Sequence, residues 1–403
     1  MASSPTNAAA TVAEAGPMQS DALLINLAPL SLEALESALS KLALAFPTQP
    51  VLVALPEAPS LAAQVSFNTL RLLPYAPQAP TSSTNPTLTA SDFINTWKLA
   101  QENNAAACLV LGAESNSLQP DSIRALAAAA FTTDLAVAHY RLGPNEGLVN
   151  SAILYPVTRA LYCARPRFPI ALDLGLSLRM AERLAAAAQR LNGVDQADAL
   201  IWPVAEAAVA YCTCTEVEVP TRTFPQPPAP DLNTVITQVA GSLFADIEAK
   251  AGFWQRVRST PPVPSATHVP VPIDNLPDVS PMLDTFRLAY ENLFELWALV
   301  LTPQSLLGLK HLSLLPVADF RMPDSLWARI IYDFALAYRL RTINRGHLLG
   351  ALTPLYLAWI ASHITLIRNG TPPEQHIEEL ARVFEADKPY LVSRWRWPDR
   401  FNP

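Results

Sequence analysis

The sequence predicts an α/β domain with a predominantly parallel or mixed sheet, followed by a helical C-terminal domain. Three observations predict it. Short apolar runs alternate with helical-period segments over the first 220 or so residues, the pattern of strands joined by crossover helices. A stretch at 220–230 then holds five prolines, and proline fixes φ and removes a ladder donor, so this reads as an extended connector. Beyond it the apolar spacing is helical throughout. The chain has 403 residues, enough for one large or two medium domains with a sizeable core. The expected layout is a disordered lead over 1–20, an α/β domain over 21–220, proline-rich connectors flanking one helix over 221–281, and a helical domain over 282–403.

In order, 22–27 is a short apolar run, 31–46 carries leucines at helical spacing behind a serine cap, and 51–55 is again short and apolar: β-α-β. Residues 56–86 are rich in proline and serine around a weak strand at 69–73. A helix at 91–103 precedes a strand at 107–111, and a helix at 120–130 follows, capped by Asp121 or Ser122. Residues 136–150, AVAHYRLGPNEGLVN, begin as a strand and end in a turn cluster. His139 beside that strand reads as a satisfied core residue. The run 169–172 reads as a short buried strand or an extended entry that places Asp173 at its end, before a helix at 176–191. A helical segment at 204–211 and a strand at 212–219 close the first domain. Helices are expected at 232–257, 282–301, 303–315, 323–342, 347–367 and 373–386. The segment 348–367 carries no fixed charge and is long enough to span a bilayer. Pro354 and His363 inside it favour a buried helix over a span, with peripheral membrane contact as the lesser reading. The tail Arg394-Trp395-Arg396-Trp397 interleaves cations with aromatics, and packing on its own domain is its default reading.

Composition excludes several classes. A net charge of -7 gives no basic field for a phosphate polymer, so nucleic acid is not an expected partner. Only 12 glycines stand against 38 prolines, and neither a Walker motif nor GxGxxG occurs. Cys108, Cys163, Cys212 and Cys214 lack metal-ligand or disulfide-framework spacing, which points to reduced thiols and a cytoplasmic location. The N-terminus has no basic segment or long apolar core of a signal peptide.

The densest polar chemistry lies in 155–177, YPVTRALYCARPRFPIALDLGLS. Arg159, Arg165 and Arg167 offer fixed charges suited to phosphate or carboxylate. Alternatively, Arg159 and Arg165 are solvated helix-face charges and Asp173 caps the following helix. The order of residues here resembles a block of bacterial GT-A glycosyltransferases of the mannosylglycerate and glucosylglycerate synthase type, approximately YPLTRALYG and then RQPIGGDFGLS. Tyr155, Pro156, Thr158, Arg159, Ala160, Leu161, Tyr162, Arg167, Pro169, Ile170, Asp173, Gly175 and Ser177 match. Ala171 and Leu172 replace its glycine pair. The segment 324–362 is a second match, and the resemblance extends over most of 100–368.

The resemblance implies a GT-A-like nucleotide-sugar-binding domain that transfers a sugar from a nucleotide-diphosphate donor to a small acceptor. Asp173 would be the catalytic residue, with Tyr140, Arg141, Asn150, Arg159 and Arg167 binding substrate. Arg159, Arg167 and Asp173 would line one pocket. The family's Asp-x-Asp, whose carboxylates hold Mg²⁺ or Mn²⁺ against the diphosphate, falls at Gly112-Ala113-Glu114, so Glu114 is the one carboxylate left for a metal. The acid expected two positions before Trp202 is Leu200, and the histidine expected near Val219-Pro220 is absent. These departures argue against a divalent cofactor. They also raise a second reading, a non-catalytic relative acting as an interaction or regulatory subunit. Large apolar faces at 282–301 and 348–367 predict a homo-oligomer contact.

Overall fold

The computed structural model describes residues 22–56, 68–77, 87–191, 199–224, 232–258 and 276–398. The expected disordered lead and most of the proline-rich connectors lie outside them. Seven strands form one mixed sheet: β1 (Leu23–Leu27), β2 (Val51–Pro56), β3 (Leu70–Tyr75), β4 (Ala107–Leu111), β5 (Leu135–Tyr140), β6 (Asp173–Ser177) and β7 (Cys214–Val219). Their order is β3-β2-β1-β4-β6-β5-β7. β6 alone runs antiparallel, pairing Leu111 with Asp173 on β4 and Leu135 with Leu176 on β5. The start of β6 therefore lies at the edge where the parallel strands end, the usual ligand edge of an α/β sheet. The central strands β1 and β4 are buried along their whole length, which explains their unbroken apolar runs. β7 is mostly exposed or half-buried and alternates polar with apolar residues.

Six helices lie between or beside these strands: α1 (Leu32–Ala45), α2 (Ala90–Glu102), α3 (Pro120–Thr132), α4 (Tyr155–Tyr162), α5 (Leu178–Gln189) and α6 (Pro203–Val209). Their starts follow local chemistry. Ser31 accepts from the Ala34 amide at the head of α1, Thr89 and Asp92 form a capping box on α2, and Pro120 opens α3. α2 packs on α5 and α1 on α3. Gly175 has a packing reason: a Cβ there would stand 2.8 Å from the Leu126 carbonyl oxygen of α3.

The C-terminal part is helical: α7 (Leu232–Ala249), α8 (Ala251–Trp254), α9 (Ser280–Ala298), α10 (Pro303–Leu314), α11 (Asp324–Leu340), α12 (Arg345–Gly350), α13 (Thr353–Arg368) and α14 (Pro373–Arg396). It packs on the α/β part. One apolar cluster unites α4, Trp202 and Ala205 with α7, α9, α11, α13 and α14, and the Trp327 indole donates to the Ala152 carbonyl at 2.8 Å.

Four local expectations change. Residues 169–172 are not a strand; β6 begins at Asp173, because only there does the chain come into register with β4. Ser177, whose hydroxyl accepts from the Met180 amide, caps α5 in place of Asp173. The 347–367 helix divides at 351–352 into α12 and α13; the span 345–368 has the length and hydropathy of a membrane crossing but is mostly buried inside the protein. α14 runs ten residues past its expected end to Arg396, with Pro389 inside it, so Arg394 and Trp395 are buried against their own domain.

Candidate functional site

Two polar constellations meet at the ends of the parallel strands. The first surrounds Asp173, which is fully buried. Its carboxylate accepts from the Tyr140 hydroxyl at 3.0 Å, from the Gly112 amide at 3.3 Å, and from Arg222 Nε and Nη2 at 2.8 and 3.1 Å. The Tyr140 oxygen also accepts from the Leu172 and Asp173 amides, both at 3.0 Å. Burial foremost, then the Asp173 charge, pushes the Tyr140 phenol well above its ordinary range, so it remains a donor.

The second is a cavity of about 300 Å³ between the β5 end, the turn after it and the C-terminal helices. Tyr140 and Phe168 form the wall toward Asp173; Arg167, Ser151, His139, His363, Glu146 and Glu374 supply the polar lining. The chain just before α4 is π-helical over Asn150–Leu154, a local widening common at functional sites, and it sets Ser151 Oγ 2.8 Å from Arg167 Nη2. Glu374, in the first turn of α14, receives Arg167 Nε and Nη2 at 3.0 and 3.2 Å. The guanidinium carbon lies 5.2 Å from the ring centres of both Tyr155 and Phe168. Arg167 Nη1 is buried and has no partner.

Opposite stands a chain of side chains from three helices. His376 Nε2 lies 3.0 Å from Asp324 Oδ1, and His376 Nδ1 lies 2.7 Å from His363 Nδ1. A carboxylate accepts, so His376 donates to Asp324 through Nε2, and one of the two Nδ1 atoms donates to the other across the His363–His376 contact. The other ring nitrogen of His363 is Nε2. It too is buried without a partner, on a residue that lines the cavity. Burial, followed by His376 and Arg167, lowers the His363 imidazole to about 3, which keeps it neutral. His139, on the same cavity, behaves differently: burial opposes its charge, but the hydrogen bond to Glu216 and the Glu216 and Glu218 carboxylates raise it. Glu216 also accepts from the Arg167 amide at 2.6 Å, tying β7 to the cavity wall.

The expected site residues divide accordingly. Arg167 and Tyr140 line the cavity. Arg159 does not: the last turn of α4 aims it at α14, where it pairs with Glu378 at 2.6 Å and Glu385 at 3.0 Å. Asp173 points away from the cavity into the Arg222 pair, so Arg159, Arg167 and Asp173 do not share one pocket. Arg141 is exposed and outside the cavity lining. Asn150 begins the π-helical turn with its Oδ1 buried and unpartnered, also outside that lining. Glu114 is exposed, in the left-handed region at φ 58°. Among the described residues no group of three or more His, Cys, Asp or Glu side chains is placed to hold a metal ion.

Sequence reasoning missed Arg222, His363, His376 and Glu374 as polar partners. Glu374 and Glu378, at i and i+4 on α14, were a readable signal of an acidic face that meets the arginines. Arg222 stood among connector residues and gave none.

No family model matches the sequence, and no curated protein matches it. Among solved structures, the chain is similar to Rv0371c from Mycobacterium tuberculosis H37Rv in complex with manganese, at 12% identity over 50% of this chain and 89% of that one, with a TM-score of 0.28. A second structure of Rv0371c gives 12% identity over the same shares and a TM-score of 0.29. Mannose-1-phosphate geranyltransferase from Thermus thermophilus is 18% identical over 52% of this chain and 75% of that one, with a TM-score of 0.25.

Proposed function

We propose that the chain is a glycosyltransferase-like protein of the cytoplasm that holds a small hydroxylated anion in the Arg167–His363 cavity as the acceptor for a sugar from a nucleotide-diphosphate donor. One observation carries this reading: two buried nitrogens, the donor Arg167 Nη1 and the imidazole His363 Nε2, belong to residues lining one cavity and lack partners. Leaving each unpaired costs about 1–3 kcal/mol, and a ligand presenting a carboxylate to Arg167 and a hydroxyl to His363 removes that cost. Glu374 already neutralises Arg167, so the site favours a monoanion over a polyphosphate. In this reading Asp173 is a positioning residue, reaching the cavity through Tyr140. A second reading, a non-catalytic ligand-binding relative, draws on the enclosure of Asp173 by Arg222, which leaves that carboxylate no face for a reacting hydroxyl.

Calorimetric titration tests both. Lactate and propionate, which differ by the hydroxyl, are titrated first, and a nucleotide-sugar panel is then titrated in EDTA and in Mn²⁺. The expected results are tighter binding of lactate and donor affinity that is equal with and without metal. Donor affinity that appears only with Mn²⁺ would overturn the metal-free reading. Acid binding without donor binding in either buffer would select the non-catalytic one.

A further inference from the structure

Arg222 lies three residues beyond β7, with a side chain only 1% exposed. Its guanidinium is surrounded by oxygens. Besides the two Asp173 contacts at 2.8 and 3.1 Å, Nη2 donates to the Ala113 carbonyl at 2.6 Å. Nη1 donates to Ser117 Oγ at 3.1 Å, to its neighbour's carbonyl at Thr223 at 2.9 Å, and to the Glu114 carbonyl. Every nitrogen of the fork is engaged, and the acceptors come from the loop after β4, the first residue of β6 and the chain beside Arg222 itself.

The divalent ion that a GT-A-like sheet edge implies does not fit these residues. Asp173 already has its counterion. At position 112 a side chain has no room, since a Cβ there would stand 2.7 Å from the Leu172 carbonyl oxygen, to which the Gly112 amide also donates at 2.8 Å. A carboxylate at 112 would therefore require the backbone to move.

We infer that Arg222 is the resident cation of this sheet edge, a covalently tethered guanidinium held in an all-oxygen cage where a dissociable metal would otherwise sit. The assignment goes beyond the proposed acceptor site and does not depend on what fills the cavity. It has a chemical corollary. Removing the guanidinium leaves two carboxylate oxygens, three carbonyl oxygens and one hydroxyl facing a void, a donor set suited to a hard divalent ion or to a free guanidinium that reproduces the planar fork.

The test is Arg222→Ala, with thermal unfolding and Mn²⁺ electron paramagnetic resonance as readouts. Wild-type melting should be indifferent to EDTA and Mn²⁺, and the protein should leave the Mn²⁺ signal free. The variant should melt lower and recover with millimolar methylguanidinium but not with tetramethylammonium at equal ionic strength; it should also bind Mn²⁺. Wild-type Mn²⁺ binding quenched by EDTA, unchanged melting of the variant, or a variant rescued by neither methylguanidinium nor Mn²⁺ overturns the inference. If the alanine variant does not fold, Arg222→Lys decides: it keeps the charge and loses the fork, so melting equal to wild type would show that a point charge suffices and sink the cage. None of these readouts involves donor or acceptor binding, so failure here is distinct from failure of the proposed activity.

Discussion

Arg167 and His363 show how the same burial produces opposite chemical roles. The arginine meets Glu374 and two aromatic faces. The histidine stays neutral because burial first, then His376 and Arg167, oppose a proton. Arg167→Ala should weaken small hydroxy-acid binding by roughly 10–100-fold, the range for a hydrogen bond to a charged group of about 1.5–3 kcal/mol. Arg167→Lys should recover only part of it, because an ammonium cannot reproduce the fork; equal affinity in all three proteins would remove Arg167 from the site. His363 makes a prediction about pH. Its folded value, near 3, lies below the ordinary imidazole value of about 6.5, so as pH falls through 6.5 the unfolded chain takes up the proton first. Stability should therefore drop from pH 6.5 toward 3 and be fully retained above 6.5. His363→Gln should flatten that part of a melting-temperature profile relative to wild type, and an unchanged slope would assign the pH dependence elsewhere.

Between elements, the arginines of 155–177 act mainly as fasteners. Arg159 joins α4 to α14 through Glu378 and Glu385, with Tyr155 adding a hydrogen bond to Glu378. Burial alone would raise the Glu378 carboxyl, but the Tyr155 and Arg159 contacts hold it below the ordinary range. Removing Arg159 leaves two half-enclosed carboxylates unpaired, and breaking such a pair costs about 3 kcal/mol when little water reaches it. Arg159→Ala should thus lower the urea midpoint markedly while changing acid affinity less in the folded fraction than Arg167→Ala does, since Arg159 lies outside the cavity lining and meets Arg167 only through their shared Tyr155; the reverse pattern would return Arg159 to the binding site. The sequence made the elements themselves legible because capping and periodicity are local: Ser31 and the apolar runs of β1 and β4 each announce their own segment. Partner choice was not legible. Asp173 was readable as a special acid near a strand, but Arg222 is 49 positions away in sequence, and nothing local distinguishes a connector arginine from one locked at the sheet edge. His363 looked like an interruption in an apolar helix until α11 and α14 brought Asp324 and His376 to it.

For the whole molecule, the apolar surface expected to form a homo-oligomer contact divides in two. α13 is covered by the surrounding helices and offers no interface. The exposed large apolar side chains lie instead on α9 and α10 and at the end of α9: Leu288 is 61% exposed, Leu299 63%, Leu307 67%, Leu314 77% and Phe294 41%. Large side chains concentrated on two adjacent helices differ from the scattered exposed leucines of an ordinary surface. The same helices carry Arg287, Glu291, Glu295 and Lys310, so a two-fold copy can set opposite charges around an apolar centre, as an isologous contact requires. A second copy of the chain is accordingly the expected occupant. Light scattering at micromolar concentration should give twice the monomer mass, and Leu299→Glu with Leu307→Glu should return the monomer while leaving the melting profile at low concentration unchanged. A wild-type monomer throughout that range would sink the expectation. A dimer that survives both substitutions would locate the contact away from α9 and α10.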